Sequence, residues 1–393
     1  MKAPREFMPV VHRLRTWGLM MGGLGLLGSI LAYFYDREHF YPSYLTAFLY
    51  WLGLALGSLS IAMIHGLSGG GWGRTIRRSL EAGYDTVPLF LIFFVPIWLD
   101  VTGIYPWTNP DYVHHHEVLM RKSAYLTVTG FQIRALIYFA VWIAITLFLN
   151  RWSPNEERDP DSERARWLQT ASGVGFIAFG FTFTLACVDW SMSLEPLWYS
   201  TMYALIQVAG QGVAALAFAV LVITSLQSYY PWSRLVTTSR LNDLGNLLLA
   251  STMFWAYCSF FQYLVIWSGN LPEENFWYVH RLSGGWQHLA ISLVLLHFVV
   301  PFFLLLSRTI KRDRKYLRGI AGLLLLMRYV DLYWTVAPGF QQDEAGYRGL
   351  RVDWTSVVTW MALGGIWLTL FSWRLVERTS RPIYDPLLEG ESP

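Results

Sequence analysis

The chain has 393 residues, 54% hydrophobic, 17% aromatic and only 15% charged. Soluble domains carry about 25% charged residues, so this balance describes a polytopic membrane protein and argues against a soluble globular one. A formal charge of +3 is too small to indicate nucleic acid, and the two cysteines, Cys187 and Cys258, sit in apolar runs without any C-x-x-C spacing, which argues against covalent haem and iron–sulfur ligation by this chain.

Crossing a bilayer as a helix takes about 20 apolar residues. Ten stretches qualify, at 16–35, 44–66, 86–105, 124–149, 168–189, 197–227, 244–268, 281–307, 316–336 and 354–374. The runs are continuous rather than alternating, so they read as helices and not barrel strands. The basic segment Met1 to Arg15 leads into the first run without a small-residue cleavage site, so that run reads as a retained span. Between the second and third runs, Gly71 to Gly83 is short and basic and reads as an element lying along the membrane interface. The third run ends on Asp100, and the loop after it carries His114-His115-His116-Glu117, a surface cluster or, less simply, a metal site.

The fourth run holds Gln132 and Arg134, the latter expected near mid-membrane. A lone buried guanidinium must find a carboxylate or carbonyls, and Asp100 and Asp189 on neighbouring spans are the acids to consider. The loop Arg151 to Trp167 is long, charged and solvated. Span six contains Gly210-Gln211-Gly212-Val213-Ala214-Ala215, small residues suited to close helix packing. Span seven is polar along its length, with Asp243, Asn246, Ser251, Thr252, Tyr257, Ser259, Gln262 and Tyr263. Such groups serve either as interhelical hydrogen bonds or as a proton wire. On span eight, Gln287 is followed by His288 and His297, which are nine residues apart and so face opposite sides of a helix; they cannot share a metal. On span nine, Arg328 and Asp331 share a face, as a self-neutralising pair or a proton relay.

Lysine and arginine alternate in abundance between loops. One side, which carries both termini, has 22 and the other 6, and the bias places both termini in the cytoplasm. Aromatic residues such as Trp107, Trp190, Trp198, Trp277 and Trp334 mark the opposite interface.

Two segments repeat. Val188-Asp189 is followed by Pro196, and Val330-Asp331 by Pro338, each proline seven residues past its aspartate. The offset of four helices preserves orientation, so the expected architecture is all-α. Two parallel-repeat four-helix bundles, spans 2–5 and 6–9, are flanked by spans 1 and 10 in a single membrane domain. The ionisable groups within the spans mark function by default. The proton-path set expected from the residues is Asp100, Gln132, Arg134, Asp189, Asp243, Gln262, His288, His297, Arg328 and Asp331.

The stretch Val188-Asp-Trp-Ser-Met-Ser-Leu-Glu-Pro-Leu-Trp-Tyr-Ser-Thr201, with His280-Arg281-Leu-Ser-Gly-Gly-Trp-Gln287 through Ser307–Lys311 and the ten-span plan of two related four-helix bundles, resembles the polysulfide reductase NrfD family of membrane subunits. The likeness is closest to the F-subunit group of bacterial alternative complex III, a quinol:electron-acceptor oxidoreductase. The resemblance implies a structural subunit with a part in proton translocation in a bacterial cytoplasmic membrane, itself without a metal or redox cofactor. It implies partners: a homologous membrane subunit, an iron–sulfur subunit, haem c subunits and small membrane subunits. Quinone is a weaker expectation for this chain. A stand-alone secondary transporter and a haem b membrane anchor are the competing readings.

Overall fold

A computed structural model describes residues 7–156, 163–340, 342–343, 346–347 and 349–380, with side chains described except at 152–156, 163–165 and in the two short strands. The middle of the Arg151–Trp167 loop, the basic residues Lys2 and Arg5, Arg348 and the C-terminal segment from 381 lie outside the described residues. The protein is an all-α polytopic membrane protein. Ten helical spans are long and apolar enough to cross a bilayer: Met8–Tyr35, Arg37–Ser68, Gly71–Leu99, Val128–Arg151, Arg166–Leu194, Tyr203–Leu226, Thr238–Gly269, Trp286–Leu306, Arg314–Phe340 and Trp354–Thr379. An even number of spans puts Met8 and Thr379 at one end of the bundle, here called the terminal end; the other is the distal end. A two-rung antiparallel pair, Gln342–Asp343 with Gly346–Tyr347, links spans nine and ten.

Spans 2 to 5 pack on one another, as do spans 6 to 9. Span 2 joins the two groups by packing against spans 6 and 9, and span 10 lies against spans 1, 2 and 3. Span 1 is held to span 10 by a glycine face. Gly18, Gly22 and Gly25 are buried, and a Cβ at Gly25 would lie only 2.2 Å from the Ala362 backbone nitrogen. Small residues at such a seam let two backbones approach until van der Waals contact alone holds them. The remainder of span 1 presents Leu19, Leu24, Leu27 and Leu31 outward.

Three departures from the sequence reading have local causes. Gly71–Tyr84 does not lie along the interface; it is a buried helix that begins the third span, with Arg77, Arg78 and Glu81 all enclosed. Glu81, three and four residues further on, offsets part of that charge and accepts from both, Arg78 Nη1 at 2.8 Å and Arg77 Nε at 3.2 Å. The third span therefore runs from Gly71 to Leu99, ahead of the 86–105 expected, and is interrupted where Pro88 and Pro96 restart short helices. Arg134 is not at mid-span. Its helix starts at Val128, so the side chain sits in the distal part and bonds back to the Tyr125 carbonyl at 3.0 Å.

Span 8 contains a π-helical stretch, Leu293–Val299, that ends just before Pro301. Proline has no N–H for the carbonyl four residues back, here that of His297, so the ladder slips register on approaching it. The small run in span 6 packs closely, as expected: a Cβ at Gly57 of span 2 would sit 2.4 Å from the Gln211 carbonyl.

Gly25→Leu should force spans 1 and 10 apart, because the side chain would meet backbone rather than a movable group. Overpacking of this kind costs about 1–3 kcal/mol. The check is the thermal midpoint in detergent: Gly25→Leu should lower it, whereas Gly23→Leu, where nothing lies within 4 Å, should not.

Candidate functional site

The repeated aspartates are both buried, and both hold an arginine. Asp189, fully enclosed, takes a two-pronged contact from Arg134 of span 4: Nε to Oδ2 at 2.9 Å and Nη2 to Oδ1 at 3.0 Å. Tyr138, one turn further along span 4, donates its hydroxyl to Oδ2 at 2.7 Å. The Arg134 guanidinium also lies 3.8 Å from the Tyr125 ring centroid, a cation–π contact that covers its open face. Asp331 bonds to Arg328 on its own helix, and Arg328 Nη2 donates to the Gln207 side chain of span 6 at 2.8 Å. Gly210 makes that reach possible, since a Cβ there would be 2.2 Å from Arg328 Nη1. Ser193 and Thr335, each four residues past its aspartate, donate to that aspartate's own carbonyl, at 2.5 and 2.7 Å.

A third acid, Glu195, is buried beside Pro196, six residues past Asp189; the residue six past Asp331 is Ala337. Arg281 Nη2 donates to Glu195 at 2.6 Å and to the Thr335 carbonyl at 2.7 Å, while Nη1 donates to the Trp277 carbonyl at 3.0 Å. Its guanidinium stacks 3.7 Å from the Trp277 ring, and Trp198 stacks on the same indole with centroids 4.7 Å apart. His280 lies 3.6 Å from the other carboxylate oxygen. Burial pushes the Glu195 carboxyl up, but the Arg281 charge and the bonds from His280 and Arg281 outweigh it and hold it below the ordinary glutamate range. One arginine thus ties the loop after span 5 to the entrance of span 8 and the end of span 9.

Beside this knot, spans 6 to 9 enclose a cavity of about 610 Å³. Tyr203 and Gln207 line it from span 6, Trp255 and Gln262 from span 7, Tyr278 from the helix Pro272–Arg281, and Asp331 from span 9. The Gln262 amide is oriented from both ends: it accepts from Ser200 Oγ at 2.8 Å and donates to Tyr278 Oη at 3.1 Å. The remaining wall is apolar, and several members of it, Met253, Tyr257, Phe260 and Val294, are also exposed on the outer surface of spans 7 and 8. The cavity therefore adjoins the lipid-facing side.

The other residues expected in a path are more dispersed. Asp100 pairs with Arg37 at the start of span 2, not with Arg134. Burial raises its carboxyl, but bonds from Tyr41 and Arg37 more than offset this and leave it below the usual range. Gln132 donates to the Trp98 carbonyl at 3.1 Å. Asp243 and His288 lie at exposed positions. His297 is fully buried in the π-helical stretch, stacked 4.0 Å from Trp255, and neither ring nitrogen has a hydrogen-bond partner. Among the described residues, no group of three or more His, Cys, Asp or Glu side chains is arranged to hold a metal.

Sequence reasoning missed Glu195 and Arg281 as a pair, although both lie in the two stretches quoted for the resemblance. It also missed a buried cluster in the terminal half. There Arg378 grips Asp85 with two bonds of 2.7 Å, Asn150 donates to the same carboxylate at 2.6 Å, and Trp367 donates to Thr86 at 2.7 Å. Asp85 lies in the helix-breaking turn between Tyr84 and Val87, and that position was the available signal. Arg77, Arg78 and Arg378 count toward the basic bias yet are enclosed, so part of that bias is structural. No family model matches the chain, and no curated protein matches it.

Removing one member of a buried ion pair leaves the other uncompensated, at about 3–5 kcal/mol. Asp189→Asn should lose stability on that scale in a detergent unfolding titration, and Asp189→Leu combined with Arg134→Met should recover part of it. A double variant no better than the single ones would show that the pair is not the interaction lost. The Glu195 contact has a distinct signature. With a depressed folded pKa, its stabilisation is complete above the ordinary glutamate range and is lost as pH falls through the depressed value. Glu195→Gln should therefore flatten the acid limb of a plot of melting temperature against pH.

Proposed function

We propose that this chain is an integral subunit of a quinol-oxidising electron-transport complex of the alternative complex III type, structural in the main and contributing acidic groups to proton movement. One observation carries the reading. The two sequence stretches that resemble that family, 188–201 and 280–311, are remote in the chain and meet through the Glu195–Arg281 contact, beside the cavity that Asp331 lines. A motif pair that forms one structural unit is better support than two separate similarities. The two Val-Asp spans fit a parallel duplication, in which Asp189 and Asp331 are corresponding groups. The loop charges favour a bacterial cytoplasmic membrane with both termini inside, and the distal end then faces the electron-accepting side. Iron–sulfur and haem c groups belong, on this reading, to partner subunits.

Asp331 is the group best placed for proton exchange. It borders the cavity, and its ion-pair partner among the described residues, Arg328, is three residues away on the same helix. Asp189 is clamped from span 4 by both Arg134 and Tyr138 and suits a structural role. In the assembled complex, Asp331→Asn should reduce protons released per electron while subunit composition stays normal. Normal assembly with unchanged proton release would remove Asp331 from the path.

The cavity favours a second reading, in which the same chain also holds a quinone. A flat head would lie among Trp255, Trp277 and Trp334 with its oxygens near Gln262, Tyr278 and Tyr203, and its chain would leave between spans 7 and 8. Pockets of about 300–1,000 Å³ with few convergent polar groups are typical of small-ligand sites. A short-chain quinone should quench tryptophan fluorescence saturably in the wild-type protein and much more weakly in Gln262→Leu. Linear quenching in both proteins would mean partition into detergent alone.

A further inference from the structure

A second, much smaller space lies between the two helix groups. It is about 30 Å³ and is lined by Gly53 of span 2, Cys187 and Ser191 of span 5, Gln207 and Gln211 of span 6, and Arg328 of span 9. Gln211 is decisive. It is 1% exposed, and neither its amide nitrogen nor its amide oxygen has a partner in the protein. A buried amide left with nothing to bond is destabilising, because it has given up its hydrogen bonds to water without replacing them. Its position is imposed: it is one turn from Gln207, and its backbone carbonyl is held against Gly57. The side chain therefore cannot leave for the surface.

We infer that this space is a bound-water site, built by Gln211, Gln207, Arg328 and Ser191, that joins the Asp331–Arg328 pair to the segment just after Asp189. A buried water needs about 10–15 Å³ of accessible volume and two to four polar partners. The space provides room for one or two waters. Water fits the donor set because it can accept from the Gln211 amide N–H and donate to the Gln211 amide oxygen. A cation is disfavoured by Arg328. An anion is disfavoured because Asp331 already neutralises that guanidinium. The site stands on geometry alone and is independent of any role for Asp331 in proton movement. Its consequence is a further polar connection between the two helix groups, beside the Tyr50 hydroxyl that donates to the Leu325 carbonyl at 3.3 Å.

Cys187 provides the probe. X-ray radiolysis generates hydroxyl radicals from bound water in place, and a neighbouring thiol is oxidised in consequence. Cys187 lines the space, whereas Cys258 is fully buried and lines neither this space nor the larger cavity. In the full-length protein in nanodiscs, millisecond X-ray footprinting read by mass spectrometry should oxidise Cys187 several-fold faster than Cys258. Gln211→Leu removes the amide and should abolish the difference. Gly53→Ala is a gentler variant: its Cβ would meet Gln211 Cβ at an ordinary 3.6 Å, so the fold is kept while the space shrinks. It should reduce Cys187 oxidation with an unchanged thermal midpoint. Equal rates for the two thiols would overturn the site, and so would a fast Cys187 rate unaffected by either variant.

Discussion

A charge enclosed in an apolar bundle must be matched by an opposite charge within reach, and much of this fold follows from that demand. Moving an ion from water into such an interior carries a penalty of several kcal/mol, which only close, well-oriented partners offset. Beside Glu81, which meets its arginines within one helix, four enclosed acids meet the demand in different ways. Asp331 uses its own helix, Asp189 uses span 4, Glu195 uses the entrance of span 8, and Asp85 uses the last turn of span 10. Three of the four contacts bridge elements remote in sequence, so they fix helix pairings as well as neutralise charge. The register of span 4 against span 5 follows from one guanidinium fork. The attachment of span 10 to the turn inside span 3 follows from another.

Glycine placement is the complement of that demand. A guanidinium is bulky, and the chain makes space for it by deleting side chains opposite. Gly210 is absent a Cβ where Arg328 passes, and Gly57 lets span 6 come close enough for Gln207 and Gln211 to face span 9. The small-residue run in span 6 therefore does two things at once: it packs helices and gives an arginine access to a neighbour's amide.

Ten spans were legible because each is a long apolar run, and membrane insertion depends on little else. The Arg328–Asp331 pair was legible because a helix brings residues three apart onto one face. The partner of Asp189 was legible only as a choice between acids, since nothing local links residues 134 and 189. The burial of Gly71–Tyr84 was not legible by composition. A basic amphipathic segment looks interfacial until Glu81 is seen to accept from both Arg77 and Arg78 inside the helix. The Glu195–Arg281 contact was hidden for the opposite reason. Both residues fall in loops between spans, where a charge is expected to be solvated and draws no notice.

The two helix groups share a local device and differ in what surrounds it. In each, a hydroxyl four residues past the aspartate caps the aspartate's carbonyl, and an arginine neutralises the carboxylate. Around Asp189 the space is filled. Trp190 is boxed by Phe48, Phe94, Phe139 and Trp142 at centroid separations of 4.9 to 5.9 Å, and Tyr138 adds a third donor to the Asp189 carboxylate. Around Asp331 the aromatic residues line a cavity instead, and among the described residues no tyrosine hydroxyl donates to the carboxylate. A carboxylate with three donors in a filled core has nowhere to pass a proton. One beside an open space, with its cation on the same helix, retains that freedom. The two helix groups thus differ in packing: the first encloses its aspartate in a filled aromatic core, and the second sets its aspartate beside a cavity.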